Sequence, residues 1–297
     1  MSTNAIINVR NVDINRISFV VGQAKNGRNP SVNIKYDGQS IGFRLPRLHF
    51  PGGLMERTDD KTGATSYTLM GTLRGCDAYG TERANPSDDI GAFYNFLLDL
   101  TDKIVQSAVE NSVKWFGKKR SEEAIRDGFK ALMRISADKV DGEYQPNGKY
   151  PPSVTLKIPV YDNRVNVDIV DARGNPMYVT PTSLKTTFVK GCDANLAVSA
   201  SIYIMAGGGF GVTWRVTHAQ VFQQERLTAA SVFSDSIHDD ADGNQSETVA
   251  KSDVLETPVE VETHALDVEV PESYEETAAP PPPPPVAARK RRAVPAS

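Results

Sequence analysis

The chain has 297 residues, 39% hydrophobic and 24% charged, with a formal net charge of −4. No stretch of about 18 apolar residues predicts a membrane span. Met1 to Arg10 lack an apolar signal core, which predicts a chain that is not secreted. Two cysteines, Cys76 and Cys192, are too few for a disulfide framework and fit a reducing compartment. The net charge speaks against a nucleic-acid partner only while it stays undivided. Residues 1–233 carry +5, 234–277 carry −13 and 278–297 carry +4.

In chain order, Ile17 to Val21 is a short apolar run that reads as a strand. Ser31 to Leu45 reads as a hairpin around Asp37-Gly38, a dipeptide suited to a two-residue turn with positive φ. That turn predicts Ile34 opposite Ile41, Val32 opposite Phe43, Lys35 opposite Ser40 and Ser31 opposite Arg44. Tyr67, Leu69 and Leu73 mark another strand before Gly75. Over 86–135 the period becomes helical. Ser87 is placed to cap a helix with Asp88 and Asp89 in its first turn. Ile90, Phe93, Leu97, Leu100, Ile104 and Ala108 form its stripe. Ser121-Glu122-Glu123 starts a second helix with Ile125, Phe129 and Leu132. After Gly148 the period returns to two. Val154, Leu156, Ile158 and Val160 alternate with polar residues, as do Val165, Val167 and Ile169, then Leu196 to Met205. Val212, Trp214 and Val216 alternate with Thr213, Arg215 and Thr217.

Strands, a helical insertion and more strands argue against a doubly wound parallel sheet. They predict a mainly β protein with inserted helices (α+β), an OB-fold-like antiparallel Greek-key barrel. Residues 1–233 form its body. Beyond Phe233 large apolar residues thin out, so 234–279 reads as a disordered acidic tail. Pro280 to Pro285 read as a polyproline spacer, and Arg289-Lys290-Arg291-Arg292 give 280–297 a basic tip.

No catalytic pattern stands out. The Gly207–Gly211 segment, GGGFG, lacks the Lys and Ser/Thr of a phosphate loop and precedes a strand, so it reads as a mobile hairpin loop. Gly-Cys-Asp-Ala occurs at 75–78 and 191–194; one Cys per copy is too few for zinc, and buried inert thiols fit better than a nucleophile paired with His49 or His218. The reading is of a non-enzyme with neither metal nor cofactor. Lys118-Lys119-Arg120 reads as a basic helix end and linker. The other cations are more informative. Lys35, Arg44 and Arg47 lie on or after the first hairpin; Lys157, Lys185, Lys190 and Arg215 lie along later strands and loops. Tyr36, Phe50, Tyr150 and Phe188 are interspersed among them. Cations that track phosphates, with aromatics on which bases stack, suit single-stranded nucleic acid. Taken singly, each reads as a solvated cation or a core aromatic, and Trp214 reads as core. The acidic tail reads as a solubiliser, as a docking segment for a basic partner, or as a tethered competitor for the body's own cationic surface.

The basic body, the helices among barrel strands, the acidic tail and the stretch "GFGVTWRVTHAQVF" resemble the single-stranded-DNA-binding proteins of the T7-phage type and their counterparts in nucleocytoplasmic large DNA viruses. The resemblance implies an OB-fold that coats single-stranded DNA during viral replication and recombination. It also implies a tail that contacts partners such as polymerase or helicase and covers the groove when DNA is absent. The setting it implies is intracellular, in the nucleus or a viral replication compartment, with no membrane partner and with a homodimer left open. The chain departs from the phage pattern at its end: Tyr274 lies within the acidic segment, and the prolines and basic tip follow. That tip reads as a nuclear-targeting patch or a nonspecific nucleic-acid contact. The alternative reading is a virion structural or scaffold protein that uses the barrel as an assembly module.

Overall fold

The structure, a computed structural model, describes residues 5–23, 30–80, 82–140 and 142–223. The acidic tail, the polyproline spacer, the basic tip and the boundary at 233 lie outside the described residues.

The first strand, β1 (Ala5–Asn8), is followed by two short 3-10 turns and β2 (Ile17–Val21). Next come β3 (Val32–Tyr36), β4 (Gln39–Arg44), β5 (Leu48–Phe50), β6 (Leu54–Thr58) and β7 (Thr65–Thr72). The helical insertion holds α1 (Asp89–Glu110), α2 (Ser112–Phe116) and α3 (Glu122–Gly128), and β8 (Ala137–Val140) and β9 (Glu143–Pro146) form a separate hairpin after it. The chain closes with β10 (Ser153–Ile158), β11 (Val160–Tyr161), β12 (Arg164–Val165), β13 (Asp168–Val170), α4 (Leu184–Thr187), β14 (Cys192–Ile204) and β15 (Phe210–Phe222).

Five strands form a closed ring. β5 pairs with β7, β7 with β10, β10 with β15, β15 with β14, and β14 back with β5. All of these pairs are antiparallel except β10–β15, which is parallel. This is the OB plan, mainly β with inserted helices. Val154, Leu156 and Ile158 of β10 point inward beside Leu69, Val198 and Ile202, all 4% exposed or less. Ser153, Thr155 and Lys157 point outward, as the alternation predicts. The apolar stripe of α1 covers one end of the barrel. Its Phe96 ring lies 5.6 Å from Phe43, which in turn meets Trp214 edge-on at 6.0 Å.

The structure departs from the sequence reading at several points, each with a local cause. The Asp37-Gly38 turn has φ of 49° and 75°, and Lys35–Ser40 and Tyr36–Gln39 pair as expected. Beyond them the ladder is not continued. The 13-residue β14 enters instead, pairing Gly42, Phe43 and Arg44 with Ser199, Val198 and Ala197, and Val32 and Asn33 with Ile202 and Ser201. Ser87 does not cap α1; its hydroxyl donates to Asn85 Oδ1, and the Asp88 carboxylate caps the helix by accepting from Gly91 N. The second helix stops at Gly128, so Phe129 and Leu132 lie on an irregular segment. The period-two pattern in β15 changes phase. Trp214 and Val216 face inward, then Ala219 and Val221 do, because the register against β14 slips by one residue between Ala197 and Val198 and leaves Thr217 as a bulge.

The repeated Gly-Cys-Asp-Ala is one turn used twice. Cys76 N donates to Leu73 O and Cys192 N to Val189 O, with Gly75 and Gly191 at φ of +91° and +80°. This is the third turn position, where positive φ favours glycine. In both copies Cys and Ala then point inward.

Candidate nucleic-acid interface

The outward residues of β7 and β10 form paired rows: Thr68 opposite Lys157, Met70 opposite Thr155, and Thr72 opposite Ser153. One wall over this face is the segment after α3. Lys130 N donates to Phe210 O (2.8 Å), and Arg134 exchanges two backbone hydrogen bonds with Ser153 (2.7 and 2.9 Å). The segment therefore straddles the N-terminal ends of the parallel strands β10 and β15, which pair only at Leu156–Trp214 and Lys157–Arg215.

Two cavities lie side by side on this face and share Arg134 and Ser153. The first, about 690 Å³, is lined by Lys130, Arg134, Lys157, Tyr203 and Thr213 among others. The second, about 510 Å³, is lined by Met70, Arg74, Arg134, Ile135, Tyr150 and Pro151 among others. No Asp or Glu among the described residues lines either one. Among the described residues, Arg74, Lys130, Arg134 and Lys157 make no ion pair with a carboxylate. Tyr150 is 70% exposed and stands at the edge of the second cavity between Lys149 and Pro151. Burial pushes the Tyr203 phenol above its ordinary pKa, so it remains a neutral hydrogen-bond donor. The Trp214 indole N–H is buried on the inner side of β15 without a hydrogen-bond partner among the described residues. His49 lines the second cavity and is oriented by Asp193, with 2.8 Å from Nδ1 to the carboxylate.

Of the residues proposed from sequence, the structure brings only Tyr150 and Lys157 into this groove. Arg215 is in register with Lys157, but its guanidinium is bound to Ser201 Oγ (2.7 Å). Lys35 donates to Ser40 Oγ (2.7 Å) on the first hairpin. Arg44 lies on a different face, beside Asp168 and His218. Arg47 is held by Asp193 at 3.4 Å and stacks on Phe222 at 3.8 Å. Lys185 is paired with Glu56 at 2.7 Å, and that bond raises its pKa. Lys190 is exposed in the turn before β14. Three aromatics require correction. Phe50 and Phe188 are 0% and 1% exposed, and Tyr36 is 7% exposed beneath the Arg16 guanidinium. Phe50 and Phe188 are enclosed by the core and the Tyr36 ring is covered by Arg16, so none of the three presents an open face for a base.

Arg74, Lys130, Arg134 and Tyr203 were missed from sequence. Lys130 and Arg134 fell within a stretch read as helix. Gly128 was the available signal, since a glycine near the end of a helical pattern marks a stop.

Gly207, Gly208 and Gly209 lie in the hairpin turn between β14 and β15, as the sequence predicts, and Phe210 and Gly211 open β15. A side chain at Gly209 would stand 2.7 Å from Met205 Cε, and one at Gly211 2.8 Å from the Tyr203 hydroxyl. Arg120 is not part of a simple basic linker, because its guanidinium occupies the space that a Gly208 side chain would need. The two cysteines are buried. Desolvation raises the Cys76 thiol and pushes Cys192 up to about 11. Among the described residues no group of three or more His, Cys, Asp or Glu is placed to hold a metal ion.

No known family model and no curated protein matches the chain. Among solved structures, the chain is similar to gp2.5, a single-stranded DNA binding protein encoded by bacteriophage T7. The identity is 10% and the TM-score 0.38, over 70% of this chain and 100% of that one. A likeness at that level carries no functional weight, and the functional reading rests on the groove.

Proposed function

We propose that this protein binds single-stranded DNA, without catalysis, along the outer face of β7 and β10. The observation that carries the reading is the acid-free groove with four cations that lack carboxylate partners and an exposed tyrosine at its rim. Among the other described cations, Arg10, Arg16, Arg47, Arg83, Arg126, Lys149 and Lys185 are engaged by carboxylates, while others, such as Arg57, Lys103 and Arg164, are not. The grouping of free cations around one groove therefore carries the reading, and not the lack of a partner alone. Cations left free beside one another favour a ligand that brings its own negative charge, and a polyanion fits this better than a small neutral molecule. Tyr150 favours a strand whose bases are unpaired and able to stack.

The wider role is proposed from the sequence resemblance and the division of charge along the chain. We place the protein in viral DNA replication and recombination inside the infected cell. Its −13 segment would contact replication proteins such as polymerase or helicase and would compete with DNA for the groove. The deciding experiment is fluorescence anisotropy with single- and double-stranded oligonucleotides at two salt concentrations. A preference for single strands that weakens with salt is expected. Equal binding to both forms, or none, would refute the proposal and favour the assembly-module alternative. For the tail, deleting residues 234–297 should tighten binding at low salt; unchanged affinity would remove the competition.

A further inference from the structure

The turn between β14 and β15 has a second set of cations on its far side. α2 ends at Gly117, which adopts φ of +72° and redirects the chain into Lys118-Lys119-Arg120. The Arg120 side chain lies on the Phe116 ring at 4.8 Å, and Nη1 donates to Gly208 O at 3.3 Å. Its Nε is buried without a hydrogen-bond partner among the described residues. Thus a guanidinium is fixed against the turn by an aromatic face and one carbonyl, with no carboxylate partner among the described residues. Beside it lies a cavity of about 260 Å³, walled by Lys114, Phe116, Arg120, Met205 and Pro30 among others, and no acidic residue lines it among the described residues. Lys118 and Lys119 are exposed next to it, also without a carboxylate partner among the described residues.

The groove reaches the same turn from its other side. Tyr203 lines the groove and its neighbour Ile204 lines this cavity, because successive strand residues face opposite ways. We propose that Lys114, Lys118, Lys119 and Arg120 form a second backbone-phosphate site, which takes the DNA strand as it leaves the groove over the Met205–Gly209 turn. The proposal rests on the nucleic-acid reading of the groove and adds a path to it. Arg120 supplies the fixed charge, and the three lysines supply mobile ones.

The test uses the full chain, its Lys118→Ala/Lys119→Ala variant, and oligothymidylates of about 5 and about 16 nucleotides, the range covered by barrels of this kind. These lysines are exposed, so the variant should fold. Each phosphate contact to a single strand contributes about 0.7 to the slope of log K against log salt, or roughly 5-fold between 1 M and 0.1 M. The variant should lose about 25-fold on the long oligonucleotide at 0.1 M, with a slope shallower by about 1.4, and nothing on the short one. A Lys130→Ala/Lys157→Ala variant should weaken both lengths. If the patch variant binds the long strand like wild type while the groove variant does not, the second site is overturned and the groove stands. If the groove variant also changes nothing, the groove reading itself fails. Equal losses at both lengths, or tighter binding by the patch variant, would overturn the proposed path.

Discussion

Removing Lys130 and Lys157 together tests the groove most directly. The two side chains reach the same cavity from opposite walls, one on the segment after α3 and one on β10. Neither is tied to a carboxylate among the described residues, so their loss leaves no orphaned acid behind. Both are exposed, so the fold should be little affected. If the four groove cations each meet one phosphate, the slope of log K against log salt for a short single strand is about −2.8. Raising salt from about 50 to 200 mM then weakens wild-type binding about 50-fold. The double variant keeps two contacts, so its slope is about −1.4 and its loss about 7-fold over the same range. At 0.1 M salt its affinity should be about 25-fold below wild type, to a similar degree for all base sequences. Anisotropy titrations at four salt concentrations give both numbers. Parallel salt lines for the two proteins would refute the reasoning, whatever their absolute affinities.

Three other outcomes are expected. Tyr150→Ala should weaken single-strand binding by about 1–3 kcal/mol, with its salt slope unchanged, because it removes stacking and no charge; an altered slope in the same titrations would count against a stacking role. Gly91→Ala should destabilise the fold although alanine favours helix by about 1 kcal/mol, because a Cβ there would press on the backbone carbonyl of Asn85, whose carbon is 3.0 Å away. Overpacking of this kind costs about 1–3 kcal/mol, and urea denaturation should show a lower midpoint. Cys76 and Cys192 should react slowly with a thiol reagent at pH 8 in the native protein and rapidly in denaturant. Burial raises both thiols, Cys192 to about 11, so the folded state favours the protonated form. The stability this provides is complete below the unfolded thiol pKa and is lost as pH rises toward 11. A thermal midpoint that rises over that window would contradict it.

Much of the barrel was legible because its signals are local. The Asp37-Gly38 turn, the stripe from Ile90 to Ala108 and the alternation Val154–Leu156–Ile158 each follow from the geometry of a single element, and each is present. The site was far less legible. Phe50 and Phe188 are aromatic and lie near basic residues in sequence, yet they face the core. Sequence proximity says nothing about which side of a closed sheet a ring occupies. Arg47 and Lys185 are cationic, but Asp193 and Glu56, distant in sequence, occupy their charges.

By itself, the sequence determined the division of charge into a cationic body and an acidic segment, the mainly β body with its helical insertion, and the inward and outward faces of single strands. These are properties of composition and of periods two to four residues long. Tertiary structure alone decided where the binding face lies. The irregular segment from Lys130 to Arg134 is bonded at one end to Phe210 and at the other to Ser153, about 80 and 20 residues away in sequence. Those long-range backbone bonds bring Lys130 and Arg134 beside Lys157 of β10, and the pairing of β7 with β10 places Arg74 at the adjoining cavity. Tertiary packing likewise buries Tyr36, Phe50 and Phe188, of which Phe50 alone lies on a ring strand, and leaves Tyr150 in solvent. Whether a cation is free to meet a phosphate depends on which carboxylates the fold brings beside it, and that is a property of the assembled chain.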